Sequence, residues 1–250
     1  MPKAKAKSGT SKPVPAKSTR AKPARVNSTP IHSTAVKRPP PADGKARCPW
    51  CLGSTTMTRY HDEEWGTPVH DDRVLFEYLI LEGAQAGLSW STILTKRDNY
   101  RRLFARFDPA KVARFKTGDV ERLMLDAGIV RNRLKIESTI SNAQAFLEVQ
   151  REFGTFAAFV WDFVGGKPLK IRRQKMEQVP VSTPLSDTLS RELKKRGFRF
   201  VGTTICYTFM QAVGMVDDHL DSCFRYALRE STAGTGAVRA GLKNRKDSGT

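Results

Sequence analysis

An all-α fold is predicted for this 250-residue chain on three observations. Apolar residues recur at three- and four-residue spacing in one segment after another. Strand-like alternation is nearly absent. Glycines and an Asp-Pro step interrupt the periodic segments where helices should end.

The first periodic segment starts at Asp71. Val74, Leu75, Tyr78, Leu79 and Glu82 share one face, the acids Asp71 and Asp72 suit the helix N-terminus, and Gly87 permits a stop. Ser89 is a good cap for a second helix through Trp90, Ile93 and Leu94 toward Phe104, and Phe107-Asp108-Pro109 breaks it. Thr117-Gly118-Asp119 precedes a short helix carrying Val120, Leu123 and Met124, ended by Ala127-Gly128. A long amphipathic helix is expected from Asn132 to Phe153, and a short one from Phe156 to Phe163 before Gly165-Gly166. Residues 167–184 contain Pro180 and Pro184 and read as loop. Ser186 is expected to cap a helix through Leu189, Leu193 and Lys194. Gly197 to Gly202 then turn the chain into a last helix from Thr203 to Val213.

Charge divides the chain further. Residues 1–47 carry 12 Lys and Arg against one Asp, in a Pro-, Ser- and Thr-rich context with few large apolar residues. Such a segment cannot bury enough surface to offset its ordering entropy, so a disordered basic tail is expected there. It would act as a polyelectrolyte arm on DNA phosphate or as a solubilising extension. Residues 229–250, with four glycines, read as a second loose tail, which leaves 48–228 as the folded domain with a nearly balanced charge. No apolar run reaches the roughly 18 residues of a membrane span. No secretory segment is evident, and the Lys- and Pro-rich start does not fit a transit peptide. Four cysteines without an export signal favour metal binding or thiol chemistry over disulfides.

Three constellations carry chemistry. His219 and Cys223, four residues apart, would share one face of a helical turn, and Cys48 and His61 could complete a closed tetrahedral zinc set. Cys51, in a Cys-x-x-Cys knuckle with Cys48, competes with His61 for a place, and buried thiols with loop histidines are the plain alternative. The second constellation is a pair of helices around the Gly197–Gly202 turn. Its backbone N–H groups, with Lys194, Lys195, Arg196 and Arg199, suit a DNA phosphate, although a plain helical hairpin with a solvated basic face has the same pattern. The third is aromatic: Trp50, Tyr60, Trp65 and Trp90 with Glu82. Indole stacking and hydrogen bonds to a base edge can offset the cost of base flipping. Any single Trp is better read as core, but a carboxylate on an apolar helix face needs a partner or a task.

These residues closely resemble the DNA-3-methyladenine glycosylase I family. The matching stretches are Cys48-Pro49-Trp50, Tyr60 to Gly66, Leu81 to Trp90, Asp126 to Ile129, Lys194 to Tyr207 and Asp218-His219. The resemblance covers essentially all of 48–225 and neither tail. It implies an all-α helix–hairpin–helix glycosylase with one structural zinc held by Cys48, His61, His219 and Cys223, Cys51 remaining a bystander. It implies hydrogen bonds to the base from Glu82 and Tyr60, stacking on Trp90, and walls from Trp50 and Trp65. Gly87-Leu88 would enter the duplex where the lesion has left, and Gly202 and Thr203 would join the basic residues of the hairpin in gripping the backbone. Met57 stands where the family carries a tyrosine, so one pocket wall departs from the pattern.

The implied reaction is hydrolytic excision of 3-methyladenine from double-stranded DNA carrying alkylated bases, leaving an abasic site. Thr203-Thr204 stand where many helix–hairpin–helix relatives place a nucleophilic Lys, so no Schiff base and no strand cleavage are expected. Asp217 lies two residues before His219, where those relatives use an Asp. It would orient water or stabilise the sugar cation, or, in the reading we favour, serve as a turn residue beside the metal cluster. No organic cofactor and no membrane partner are implied, and a cytoplasmic, DNA-associated monomer is expected. Two other classes compete: a non-catalytic DNA-binding module whose pocket is only core, and a zinc hydrolase, which a closed four-ligand site would exclude.

Overall fold

The structure, a computed structural model, describes residues 43–226. The two tails assigned from the sequence lie outside the described residues, apart from Asp43–Arg47. That short stretch is packed: Arg47 buries its side chain between Asp43 and Asp62, and the Ala46 carbonyl accepts the Phe224 N–H at 2.9 Å.

The fold is mostly helical and is arranged around α2 (Asp72–Gln85). This helix is buried continuously from Leu75 to Ala84, on every face rather than on a stripe. Asp71 caps it by accepting the Val74 N–H. Asp72 does more: its carboxylate accepts Gln150 Nε2 at 2.6 Å and the Phe156 and Ala157 N–H groups at 2.8 Å. One acidic side chain thus joins α2 to α6 (Arg133–Phe153) and to the N-terminus of α7 (Phe156–Asp162).

On the other sides of α2 lie α3 (Trp90–Leu103) and α9 (Thr203–Ala212). The pair α8 (Pro184–Lys195) and α9 packs together, and Gly83 of α2 lets the turn between them approach, since a side chain there would meet Phe200 at 3.3 Å. Helix α5 (Thr117–Leu125) and the short α4 (Pro109–Val112) cover α6.

Several elements differ from the sequence reading. Helix α1 (Thr55–Glu63), capped by Ser54, is short and carries few apolar residues, chiefly Met57 and Tyr60, and was not expected. The cap of α8 is Thr183, with Pro184 in the first turn. Ser186 is the third helical residue, and its hydroxyl returns a bond to the Thr183 N–H at 2.9 Å. Within the expected loop, β1 (Leu169–Lys170) pairs in parallel with β2 (Val216–Asp217), followed by a bridge from Arg173 to Leu220. Two-residue strands are too short to show a period.

The segment carrying Trp65 is tied to the end of α9 through Gly66 N–H to Gln211 and Val69 N–H to Val213. Gly214 permits this seam. It has φ +73°, and a Cβ there would fall 2.5 Å from Pro68 N. Gly214→Ala should therefore cost on the order of 3 kcal/mol in urea unfolding, whereas Gly118→Ala, helical with open space around it, should be neutral or stabilising by about 0.5 kcal/mol.

Candidate functional site: an aromatic cavity beside a Cys and His cluster

A cavity of about 290 Å³ opens where α1, α2, α3 and α9 meet. Trp50, Tyr60, Trp65, Glu82 and Trp90 all line it. Trp50 stands edge-on to Trp65 with ring centroids 5.0 Å apart, and Tyr60 tilts against Trp90 at 5.3 Å. The walls follow from local structure. Tyr60 is carried by α1, Glu82 comes from the last turn of α2, and Trp90 opens α3 behind its Ser89 cap. Met57 also faces the cavity.

Glu82 is 3% exposed, and its Oε2 has no hydrogen-bond partner among the described residues; the same holds for the Trp90 indole N–H. An acceptor and a donor, both buried and unused, therefore sit in the wall of one cavity. Burial pushes the Glu82 carboxyl up to about 8, against a smaller opposing effect of the Thr208 hydroxyl. Burial likewise raises Tyr60 well above the usual phenol range, so it stays a neutral O–H.

Spacing missed several lining residues, among them Thr208 and Gln211 from α9 and Met176 and Val179 from the 171–183 segment. Of the two neighbouring acids, the sequence reading singled out Asp217 and favoured a turn role for it, and it did not weigh Asp218. Asp217 is buried in the β2 strand, where it accepts the His219 N–H at 3.3 Å, and it does not line the cavity. Asp218 does. It accepts hydrogen bonds from the Tyr207 hydroxyl, from Gln211 Nε2 at 2.9 Å and from Arg173 Nε at 3.1 Å.

Behind Trp50 and Trp65 lies the thiol and imidazole cluster. Donor atoms of Cys48, His61, His219 and Cys223 all lie within 4.8 Å of one another, and all four residues are buried. Cys223 Sγ is 3.4 Å from His61 Nε2 and 3.6 Å from His219 Nδ1, and Cys48 Sγ is 3.7 Å from His219 Nδ1. A tetrahedral zinc with two sulfur and two nitrogen ligands has S···N edges of about 3.5 Å, so the donor set fits that ion. The remaining ring nitrogens are also placed: His61 Nδ1 is 2.8 Å from Asp62, which Arg47 grips, and His219 Nε2 is 3.3 Å from the Trp65 carbonyl. A hydrogen bond from Cys48, aided by the two imidazoles, holds the Cys223 thiol far below its ordinary range. Cys51 stays outside this set and donates to the Cys48 carbonyl at 3.1 Å.

The basic turn lies between α8 and α9. Gly197 ends α8 at φ +89°, and Gly202 begins α9 without a side-chain cap. Lys194, Lys195 and Arg199 are exposed, while Gly202 and Thr203 are half-buried. Arg196 is committed elsewhere, to Glu152 and to the faces of Phe153 and Phe159. Asn142 of α6, which the sequence reading did not single out, exchanges two bonds with the Arg199 backbone at 2.8 and 2.9 Å. The Gly87-Leu88 tip joins α2 to α3, with Leu88 42% exposed.

The chain matches the family described as methyladenine glycosylase over residues 50–226. It is 52% identical over 180 residues to DNA-3-methyladenine glycosylase 1 of Escherichia coli (strain K12), covering 72% of this chain and 96% of that one. A crystal structure of 3-methyladenine DNA glycosylase I is similar with a TM-score of 0.70 at 52% identity, over 72% of this chain and 98% of that chain. A tyrosine-to-phenylalanine variant of 3-methyladenine DNA glycosylase I in complex with 3-methyladenine gives a TM-score of 0.70 at 35% identity, over 71% of this chain and 96% of that chain.

The buried carboxyl makes stability depend on pH. The unfolded chain releases this proton near the ordinary value of 4.5, and the folded chain near about 8. Glu82 is therefore tolerated below about 4.5 and costs stability progressively as pH rises to about 8. Glu82→Gln should gain on the parent chain by on the order of 4 kcal/mol between pH 5 and pH 9 in urea unfolding; equal pH profiles for the two proteins would contradict this.

Proposed function

The chain belongs to the methyladenine glycosylase family, and we propose that its aromatic cavity is the pocket that receives the flipped base. It is a DNA repair glycosylase that excises 3-methyladenine from alkylated DNA, and so a hydrolase of N-glycosyl bonds. The observation that carries the pocket assignment is the unpartnered pair, Glu82 Oε2 and the Trp90 indole N–H, in a cavity walled by Trp50 and Trp65.

An adenine alkylated at N3 carries positive charge while still attached to deoxyribose. Its glycosidic bond is already weakened, and the leaving base needs no prior protonation. Indole faces attract the cationic ring and discriminate against neutral adenine. The carboxyl of Glu82, neutral in the empty pocket up to about pH 8, becomes the better acceptor as a carboxylate when a cation lies beside it. Capture of the lesion then releases a proton. As the bond breaks, positive charge moves to the sugar, and the pocket has selected for a base already prepared to leave.

The hairpin between α8 and α9 would grip one phosphate through the uncapped N–H groups at Gly202 and Thr203, with Lys194, Lys195 and Arg199 adding charge. Leu88 would fill the gap left by the base. With Thr203 and Thr204 at the start of α9 in place of a Lys, the enzyme is monofunctional and leaves the strand intact. Asp217, committed to a backbone bond beside the cluster, has no part in the chemistry. A zinc held by Cys48, His61, His219 and Cys223 would be structural, because four protein ligands leave no place for water. No helix among the described residues is long and apolar enough to cross a membrane, and the protein would work as a cytoplasmic monomer on duplex DNA.

Incubation with alkylated DNA should release free 3-methyladenine without an added cofactor and without a nick. Glu82→Gln should lower that release at least tenfold while duplex affinity stays within twofold; loss of fold in this variant would favour a structural role for the carboxyl instead.

Metal analysis tests the cluster. The protein should contain about one zinc per chain. Cys48→Ala should lose the metal and melt at lower temperature, and Cys51→Ala should keep it. Stoichiometric zinc in Cys48→Ala would overturn the ligand set.

A further inference from the structure

The tip between α2 and α3 has a definite conformation. Ala86 has φ −43° and ψ 116°, Gly87 has φ +77°, and the Leu88 N–H bonds to the Gln85 carbonyl at 2.6 Å. Residues 85–88 therefore form a type II turn, whose third residue needs the positive φ that glycine supplies. A type II turn differs from a type I turn mainly by a flip of its central peptide, here the one joining Ala86 to Gly87. That flip would turn Gly87 toward negative φ and re-aim Leu88, the exposed residue that follows.

Lys135 holds this peptide. Its Nζ lies 2.6 Å from the Ala86 carbonyl and 2.8 Å from the Ala84 carbonyl. It reaches them from α6, a different element 49 residues further along the chain. The ammonium also meets carbonyls that the end of α2 leaves without helical partners, where a cation is favoured by the helix dipole. On the same face of α6, two turns further on, Asn142 holds the Arg199 backbone of the hairpin. One rigid helix thus braces both segments assigned to DNA contact.

We propose that Lys135 is a positioning residue for entry into the duplex: its ammonium locks the central peptide of the 85–88 turn and so fixes the direction in which Leu88 points. The inference rests on the reading of Leu88 as the group that enters the gap. Its consequence is selective. A duplex needs its gap filled while the base is held outside, whereas a single strand has no opposing stack to re-form. Loss of the lock should therefore harm excision from duplex DNA and spare the base pocket.

The test compares Lys135→Met, which keeps the stem and removes the ammonium, with Lys135→Arg, Leu88→Ala and the Leu88→Ala, Lys135→Met double variant. The readouts are kcat/KM for release of 3-methyladenine from alkylated duplex and from alkylated single strands, and binding of free 3-methyladenine followed by tryptophan fluorescence. Lys135→Met should lose tenfold or more on duplex while single-strand release and free-base binding stay within twofold. Lys135→Arg should recover most of the loss, and the double variant should fall no further than Leu88→Ala. Gly87→Ala, which strains the same turn without touching Lys135 and meets no atom within 4 Å, should reproduce the duplex-selective loss if Lys135→Met fails to fold. Unchanged duplex activity in Leu88→Ala would remove the premise about the tip. A loss in Leu88→Ala with wild-type activity in Lys135→Met would leave that premise standing and overturn the role of Lys135. Equal losses on duplex, single strand and free base would make Lys135 merely structural and also overturn it.

Discussion

A buried carboxyl group with one oxygen left without a hydrogen-bond partner is the constraint to which much of this structure answers. Glu82 sits on a helix enclosed on every side, and an ionised carboxylate there would be costly. Ordinary folds remove such a group or give it an arginine. This chain does supply a buried arginine to α2, but Arg97 pairs with Glu77 and Glu64. Those pairs stabilise the helices beside the cavity and leave the cavity carboxyl free to be satisfied by a ligand.

The second organising interaction runs between the two ends of the described domain. Cys48 and His61 come from its start, and His219 and Cys223 from its end, so the cluster closes a loop spanning nearly the whole fold. Its outer contacts reach the cavity as well. Trp50 packs against His61, with ring centroids 5.4 Å apart, and Trp65 both packs on His219 and lends its carbonyl to it. A metal bound there would hold two pocket walls at fixed spacing without touching the ligand itself. The parallel pairing of β1 with β2 lays residues 169–173 along the segment that leads into His219, and Arg173 from that segment steadies Asp218 at the cavity.

Helix α6 plays a comparable part for the surface assigned to DNA. Its length and apolar face make it a rigid strut against α2, α4, α5 and α7. Its polar residues Lys135 and Asn142 meet backbone atoms of two turns that are remote in sequence but lie on the same side of the helix. Turns are the least constrained parts of a helical fold, and anchoring them to a neighbouring helix gives them a defined geometry without lengthening or stiffening their own sequence.

Much of this was legible in the residues alone. The cap residues Asp71, Ser89 and Asn132 and the apolar spacing after them place α2, α3 and α6 within a residue or two, because capping and amphipathicity act within one or two helical turns. Glu82 within an apolar run, together with four large aromatics, announced a pocket, and the recurring stretches announced the family. What spacing could not reach was every relation between distant residues. Helix α1 is too short and too poor in apolar residues to show a period, the β1 and β2 pairing spans 47 positions of register, and Asn142 and Lys135 look like ordinary polar positions until their carbonyl and N–H partners are known. That Asp218 and not Asp217 lines the cavity is of the same kind, because Asp217 ends β2 and only the packing of the chain just beyond that strand says which side chain meets the cavity.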